Sequence, residues 1–315
     1  MMTMITKCNK LRVLESVCGI VACCYLVFKL LAYDDYQLMW HKWCNAESWQ
    51  WITATVALIM IVPNLMLEAT KWKLLLAPMG KRTLKDAFKD VCKGTVGAFI
   101  TPNRVGEFPY RAIYLPPSWR ISAIALGGMG SMIQMVVISM IGLPTLCALC
   151  TLLPVFDWEN TILRLLILLI LIIIGCVLLA KLKTTQKAWK ELLLALNKLS
   201  GKETIGVILC TFGRYATFCT QFWLMLESCG VYLSWEQALM AIPTYYFLVT
   251  FTPSINVAEL AVRGSWAVIA LSPFTSDTPA VTLAAGCVWL INGVTPMIIG
   301  LLLKKTNLAM DDSNV

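Results

Sequence analysis

Ile162–Ala180 is a nearly continuous run of Leu and Ile. A segment of that length and character reads as a helix crossing a bilayer. Barrel strands would instead show short stretches of alternating polarity, so the helical class of membrane protein fits better. Composition agrees: 58% of residues are apolar and 14% charged, where a soluble domain carries about a quarter charged. The net charge of +8 raises nucleic acid as a partner. However, Lys and Arg fall in loops between apolar runs, which the positive-inside bias explains without one. No nucleic-acid partner is expected.

Thirteen Cys and a single His, His41, bear on metal chemistry. Cys18, Cys23, Cys24, Cys147, Cys150, Cys176, Cys210 and Cys219 lie within apolar runs, where Cys acts as a small hydrophobe. Cys147 and Cys150 have CxxC spacing but no second pair or His cluster, and a zinc site needs about four convergent ligands. No metal, haem or other cofactor is expected.

Six segments read as spanning helices: Leu11–Leu31, Trp51–Leu76, Ile121–Leu153, Ile162–Ala180, Thr204–Leu226 and Ala280–Leu303. The first has a basic start but no small-residue cleavage site, so it reads as a retained helix with a cytoplasmic N-terminus. Lys81, Arg82, Lys85, Lys89 and Lys93, then Lys181–Lys202, then Lys304 and Lys305 mark the cytoplasmic side, which also holds the C-terminus. The loop after the first span carries Asp34, Asp35, Glu47 and several Trp and Tyr, an outer aromatic belt. Pro144 is expected to kink or end the third span, and Pro243 interrupts the apolar Trp235–Phe251.

One stretch cannot be an ordinary spanning helix. Thr101-Pro102-Asn103-Arg104-Val105-Gly106-Glu107-Phe108-Pro109-Tyr110-Arg111 packs two Pro, a Gly, an Asn and three charges into eleven residues. It is either a cytoplasmic loop or broken backbone held inside the protein at membrane depth. An echo later in the chain favours the second reading. Thr101-Pro102 precedes Glu107 and Arg111; Thr252-Pro253 precedes Glu259 and Arg263. Both Glu–Arg pairs are four apart and share a helix face, and both segments are approached by apolar stretches too short to span comfortably.

Loop charge puts the first segment on the inner side and the second on the outer. The chain then reads as one integral membrane domain over residues 1–315, with 1–155 and 156–315 as inverted repeats. The expected fold is all-α, with about six spanning helices and two re-entrant broken segments. Alternating-access transporters use this architecture, with the N-termini of broken helices offered to anions near the midplane. Polar residues recur in the second helix of each half. Asn64, Glu68 and Lys71 or Trp72 share one face, as do Arg214 and Gln221. Lys71 is three residues from Glu68, so that carboxylate is read equally well as structurally paired or as part of a site.

Asn64-x-x-x-Glu68-Ala69-x-Lys71-Trp72, Gly94, Thr101-Pro102-Asn103-Arg104-Val105-Gly106-Glu107 with Arg111, Arg214 with Gln221, and Pro253 with Glu259-x-x-Val262-Arg263 together resemble one family. It is the lysylphosphatidylglycerol synthase transmembrane (flippase-like) family, and the resemblance covers nearly the whole chain. In the full bacterial synthases this region precedes a soluble aminoacyl-transfer domain and is associated with moving lipid across the bilayer. Here the sequence stops about a dozen residues after its last helix, so the resemblance implies a stand-alone membrane region in a bacterial cytoplasmic membrane. One departure is Ala258 directly before Glu259, where the first motif has Gly106 before Glu107.

The expected function is a flippase or transporter for a lipid with an anionic or amino-acylated head group; membrane lipids are the expected partners, with a homo-oligomer allowed. Arg104, Arg111, Arg214 and Arg263 supply phosphate-pairing charge, since guanidinium matches phosphate bidentately. Glu107 and Glu259 orient those arginines or meet a cationic head group, and Asn64, Asn103 and Gln221 are neutral hydrogen bonders. The sequence has no nucleotide-binding loop, so movement is passive or ion-coupled, with Glu68 and Glu107 as proton carriers. The rivals are a small-solute or ion-coupled secondary transporter, an intramembrane enzyme acting on lipid phosphate, and a purely structural membrane subunit, which would not need charges at membrane depth in both halves. The second lacks a nucleophile–His pairing or an acidic metal motif, and no enzymatic activity is expected.

Overall fold

The computed structural model describes residues 47–101, 104–152, 199–254 and 256–303, with a few positions between 21 and 45. Among these residues every regular element is helical and no strand occurs. The first half comprises α1 (Ser48–Ile59), α2 (Ile61–Leu76), α3 (Leu84–Ile100), the short α4 (Glu107–Ala112) and α5 (Arg120–Cys150). The second comprises α6 (Gly201–Ser228), α7 (Trp235–Phe251), α8 (Asn256–Leu271), α9 (Thr278–Trp289), a π turn (Leu290–Val294) and α10 (Thr295–Leu302).

Proline chemistry explains most of the boundaries. Pro63 has no N–H and its ring crowds the carbonyl of Ile59, so α1 and α2 part at Met60. Pro296 does the same to Asn292, and the backbone widens into the π turn just before it. Thr101 and Thr252 each precede a proline and are extended, at φ −114°, ψ 143° and φ −91°, ψ 117°, because a residue before proline avoids the helical region. Each threonine hydroxyl donates back to the carbonyl four residues earlier, Thr101 to Gly97 at 2.8 Å and Thr252 to Leu248 at 2.7 Å. Both helices therefore stop by the same device.

Pro144 and Pro243 behave otherwise. Both sit inside continuous helices, α5 of 31 residues and α7 of 17, which run more than eight turns and nearly five turns respectively at about 3.6 residues per turn. Neither proline ends its helix, because packed neighbours support the helix past the missing hydrogen bond. One such neighbour is direct, since Gly142 of α5 lies against the Pro243 carbonyl and the Phe247 side chain of α7.

Among the described residues three helical stretches are long and apolar enough to cross a membrane: Ser48–Met79, Pro117–Cys150 and Thr278–Leu302. They match three of the six expected spans. The span at Ile162–Ala180, the basic loop after it and much of Leu11–Leu31 lie outside the described residues. α6 is long enough at 28 residues, about 42 Å. Its Arg214, Gln221 and threonines keep it out of the apolar set.

Packing is reciprocal between the halves. α2 and α6 pack together near the middle, α1 also lies on α6, α7 packs on α5, and α10 packs on α3. The α10–α3 contact is close enough that Gly300 lies on the Cys92 backbone. Buried apolar residues form two clusters, one including Trp72, Leu75, Leu126 and Val207, the other Val137, Phe222, Tyr245 and Val288. Gln134 on α5 and Arg214 on α6 lie where those helices pass from one cluster to the other. At its start α3 is tied to the preceding loop, where Arg82 grips Asp90 through Nε at 2.9 Å and Nη2 at 2.8 Å, and Trp72 Nε1 lies 3.4 Å from the same carboxylate.

Candidate functional site

Glu68, in the middle of α2, is 3% exposed and meets three cations. Its Oε1 accepts from Arg111 Nη1 at 3.0 Å. Its Oε2 accepts from Arg214 Nη1 at 2.7 Å and lies 2.6 Å from Lys71 Nζ. Those cations come from α4, α6 and the next turn of α2, so one carboxylate joins both halves of the chain. The pairing with Lys71 and membership of the cluster hold at once.

Arg111 is 1% exposed and also donates Nη2 to Glu107 Oε1, one turn earlier in α4. Its guanidinium lies over the rings of Trp72 and Phe108, 5.2 and 5.5 Å from their centroids, a favourable setting for a cation. Its Nε has no hydrogen-bond partner. Glu107 Oε2 lies 3.6 Å from Arg104 Nε, extending the chain of charges into the first break. Arg104 is the one non-glycine residue with positive φ among the described residues, at 59°. A long side chain rarely adopts that conformation, and such outliers gather at functional sites.

The first break is closed by its own chain. Gly97 and Gly106 bring their backbones so near that a Cβ on Gly106 would lie 2.6 Å from the Gly97 carbonyl. The Gly106 N–H donates to Thr101 Oγ1 at 2.8 Å. At this helix end the Gly106 N–H is taken by Thr101, and Glu107 in the first turn is paired with Arg111. Positive charge here belongs to side chains. Asn103 lies outside the described residues.

In the second break, Glu259 opens α8 and Arg263 follows one turn later. Glu259 Oε1 accepts from Arg263 Nε at 2.9 Å and Nη2 at 2.7 Å. Arg263 also interacts with the Tyr245 hydroxyl, and Glu259 with the Trp289 indole and the charge of Arg104. The two broken segments are thus within electrostatic reach of each other. α8 runs for 16 residues, whereas α4 has six.

A row of amides backs the charges. Arg214 Nε donates to Asn64 Oδ1 at 2.9 Å, Asn64 Nδ2 to Asn292 Oδ1 at 2.6 Å, and Asn292 Nδ2 to Gln221 Oε1 at 2.6 Å. Gln221, fully buried, donates onward to the Ala57 carbonyl at 2.8 Å. Gln221 therefore stands behind Asn292 instead of beside Arg214. Gln134 Oε1 accepts from Arg214 Nη1 at 3.1 Å and lies 3.4 Å from Lys71 Nζ. Sequence reading missed Gln134 and Asn292. Their signal was a lone amide in an apolar run, which at membrane depth needs a partner.

Taken together, Lys71, Arg104, Arg111, Arg214 and Arg263 face Glu68, Glu107 and Glu259, an excess of two formal positive charges. The arrangement suits electrostatic capture of an anion; among the described residues there is no cluster of His, Cys, Asp and Glu able to hold a metal.

These are the residues of the motif set described above, and comparison decides the family. Residues 16–300 match the family described as Lysylphosphatidylglycerol synthase TM region. The chain belongs to that family. No curated protein and no solved structure matches it significantly. Membership makes it a membrane protein of the lipid-modifying or flippase-like type, in a family that is a non-catalytic membrane domain.

Within this family member, Gly94 of α3 fixes the place of Arg111. A Cβ there would strike Arg111 Cγ and lie 2.7 Å from its Nε. Gly94→Ala is expected to push the guanidinium off Glu68 and Glu107 and so to lower the unfolding temperature in detergent. An unchanged unfolding temperature in that variant would show that Arg111 needs no fixed position.

Proposed function

We propose that the chain is a flippase or transporter that carries a membrane lipid with an anionic or amino-acylated head group across a bacterial cytoplasmic membrane. The single observation that supports this best is the charge set, which draws cations from both halves, holds Lys71 and Arg111 almost out of water and keeps two positive charges in excess. Uncompensated charge away from water is costly, and an anionic head group relieves it. Asn64 and Gln134 serve as neutral partners beside Arg214.

We read the chain as an inverted repeat as well. The like endings of α3 and α7, the Glu–Arg pair after each break, and the exchange in which α7 packs on α5 and α10 on α3 favour it. In this reading both termini are cytoplasmic, residues 1–155 and 156–315 are the repeats, and the breaks are half-sites meeting near the midplane. With cysteines placed at positions 103 and 256 on a Cys-reduced background, membrane-impermeant reagents should label them from opposite sides. Labelling of both from one side would contradict the inversion.

The test of function is movement of fluorescent lipids by the purified protein in liposomes. Arg104→Ala and Arg263→Ala are expected to abolish it without preventing insertion. Wild-type rates in both would remove these arginines from the site, and no movement of any anionic, amino-acylated or polyprenyl lipid above protein-free liposomes would end the flippase reading.

A further inference from the structure

We infer that the π turn Leu290–Val294 is a joint that positions the cations of the site, with Asn292 as the positioning residue for Arg214. This rests on the reading of Arg214 as a head-group contact.

The donor chain from Arg214 through Asn64, Asn292 and Gln221 to the Ala57 carbonyl has a fixed direction. Guanidinium only donates and a backbone carbonyl only accepts, so each amide between them must accept on one side and donate on the other. Asn292 holds the middle of that chain, and its Nδ2 also donates to Val288 O at 3.1 Å within its own helix. A side chain so held sets the rotation of Asn64, and through it the place of Arg214 Nε.

The same turn reaches both breaks. Trp289, at its edge, interacts with Glu259 of the second broken segment. Its ring also lies 6.4 Å from that of Phe99, at the end of α3 beside the first. Beyond the turn, α10 rests on α3 through Gly300 and the Cys92 backbone. Interruptions of the regular helical ladder such as this recur at functional sites. A shift of α3 therefore passes through α10 to a turn that bears on Arg214 and Glu259 together.

The test uses full-length protein with ¹⁵N-labelled arginine in detergent micelles, where the Arg214 Nε–H signal is identified by its loss in Arg214→Lys. Asn292→Leu should shift that signal and slow flux of fluorescent phosphatidylglycerol in liposomes at least tenfold. In an Asn64→Leu background, where the chain is already cut, adding Asn292→Leu should change neither readout further. A simple packing role predicts additive losses, and that result would overturn the inference, as would an unmoved Arg214 signal in folded Asn292→Leu. If that variant does not fold, the measurement is reversed on protein carrying ¹⁵N-labelled asparagine, with the Asn292 amide identified by its loss in Asn292→Asp: Arg214→Lys must shift the Asn292 side-chain amide signals, and no shift overturns the inference. Signals that couple as expected in a wild-type protein that moves no lipid would support the joint and end the flippase reading instead.

Discussion

Replacing Glu68 with alanine is expected to give the largest loss of any single change. Its carboxylate is the shared partner of Lys71, Arg111 and Arg214, all within 3.0 Å. Removing it leaves three buried cations facing one another, and breaking a buried ion pair costs about 3–5 kcal/mol even with two members. A marginal fold does not absorb that easily, since total stability is about 5–15 kcal/mol. Glu68→Ala should therefore show a clearly lower unfolding temperature in detergent and no lipid movement. Glu68→Gln, which keeps shape and accepting oxygen but not charge, should fold better and still lose most activity. A variant as stable as wild type would mean that the three cations are stabilised by something other than Glu68.

Arg111→Lys is expected to come next. Guanidinium spans from Glu68 Oε1 to Glu107 Oε1 with two separate nitrogens and stacks between Trp72 and Phe108. A lysine ammonium is a point charge that cannot hold both carboxylates in that geometry. Charge is preserved, so insertion should be kept while flux falls at least tenfold. Near-normal flux in Arg111→Lys would reduce the role of Arg111 to charge alone.

How much of this was legible in the sequence depends on how local the cause is. The stops at Thr101 and Thr252 were legible because proline restricts its predecessor wherever it stands. The Glu107–Arg111 and Glu259–Arg263 pairs were legible because helical spacing of four puts side chains side by side. Asn64, Glu68 and Lys71 declared themselves as one face of α2 for the same reason. Pro144 and Pro243 end neither helix, because their local rule yields to packing from neighbouring helices. Gln134 and Asn292 stayed hidden because their partners are distant in sequence: Gln134 meets residues 63 and 80 positions away, and Asn292 meets residues 71 and 228 positions away. No window along the chain contains both ends of such a bond.

Head-group selectivity of the wild-type protein reads the excess positive charge most directly. Purified protein in liposomes would be given fluorescent phosphatidylglycerol or fluorescent phosphatidylcholine, and the fraction reaching the opposite leaflet followed by quenching from outside. Phosphatidylglycerol moving at least several-fold faster, with the difference lost in Arg214→Ala, is the expected result. Equal rates for the two lipids, or no movement of either above protein-free liposomes, would contradict an anion-selective site built from the cations of both halves.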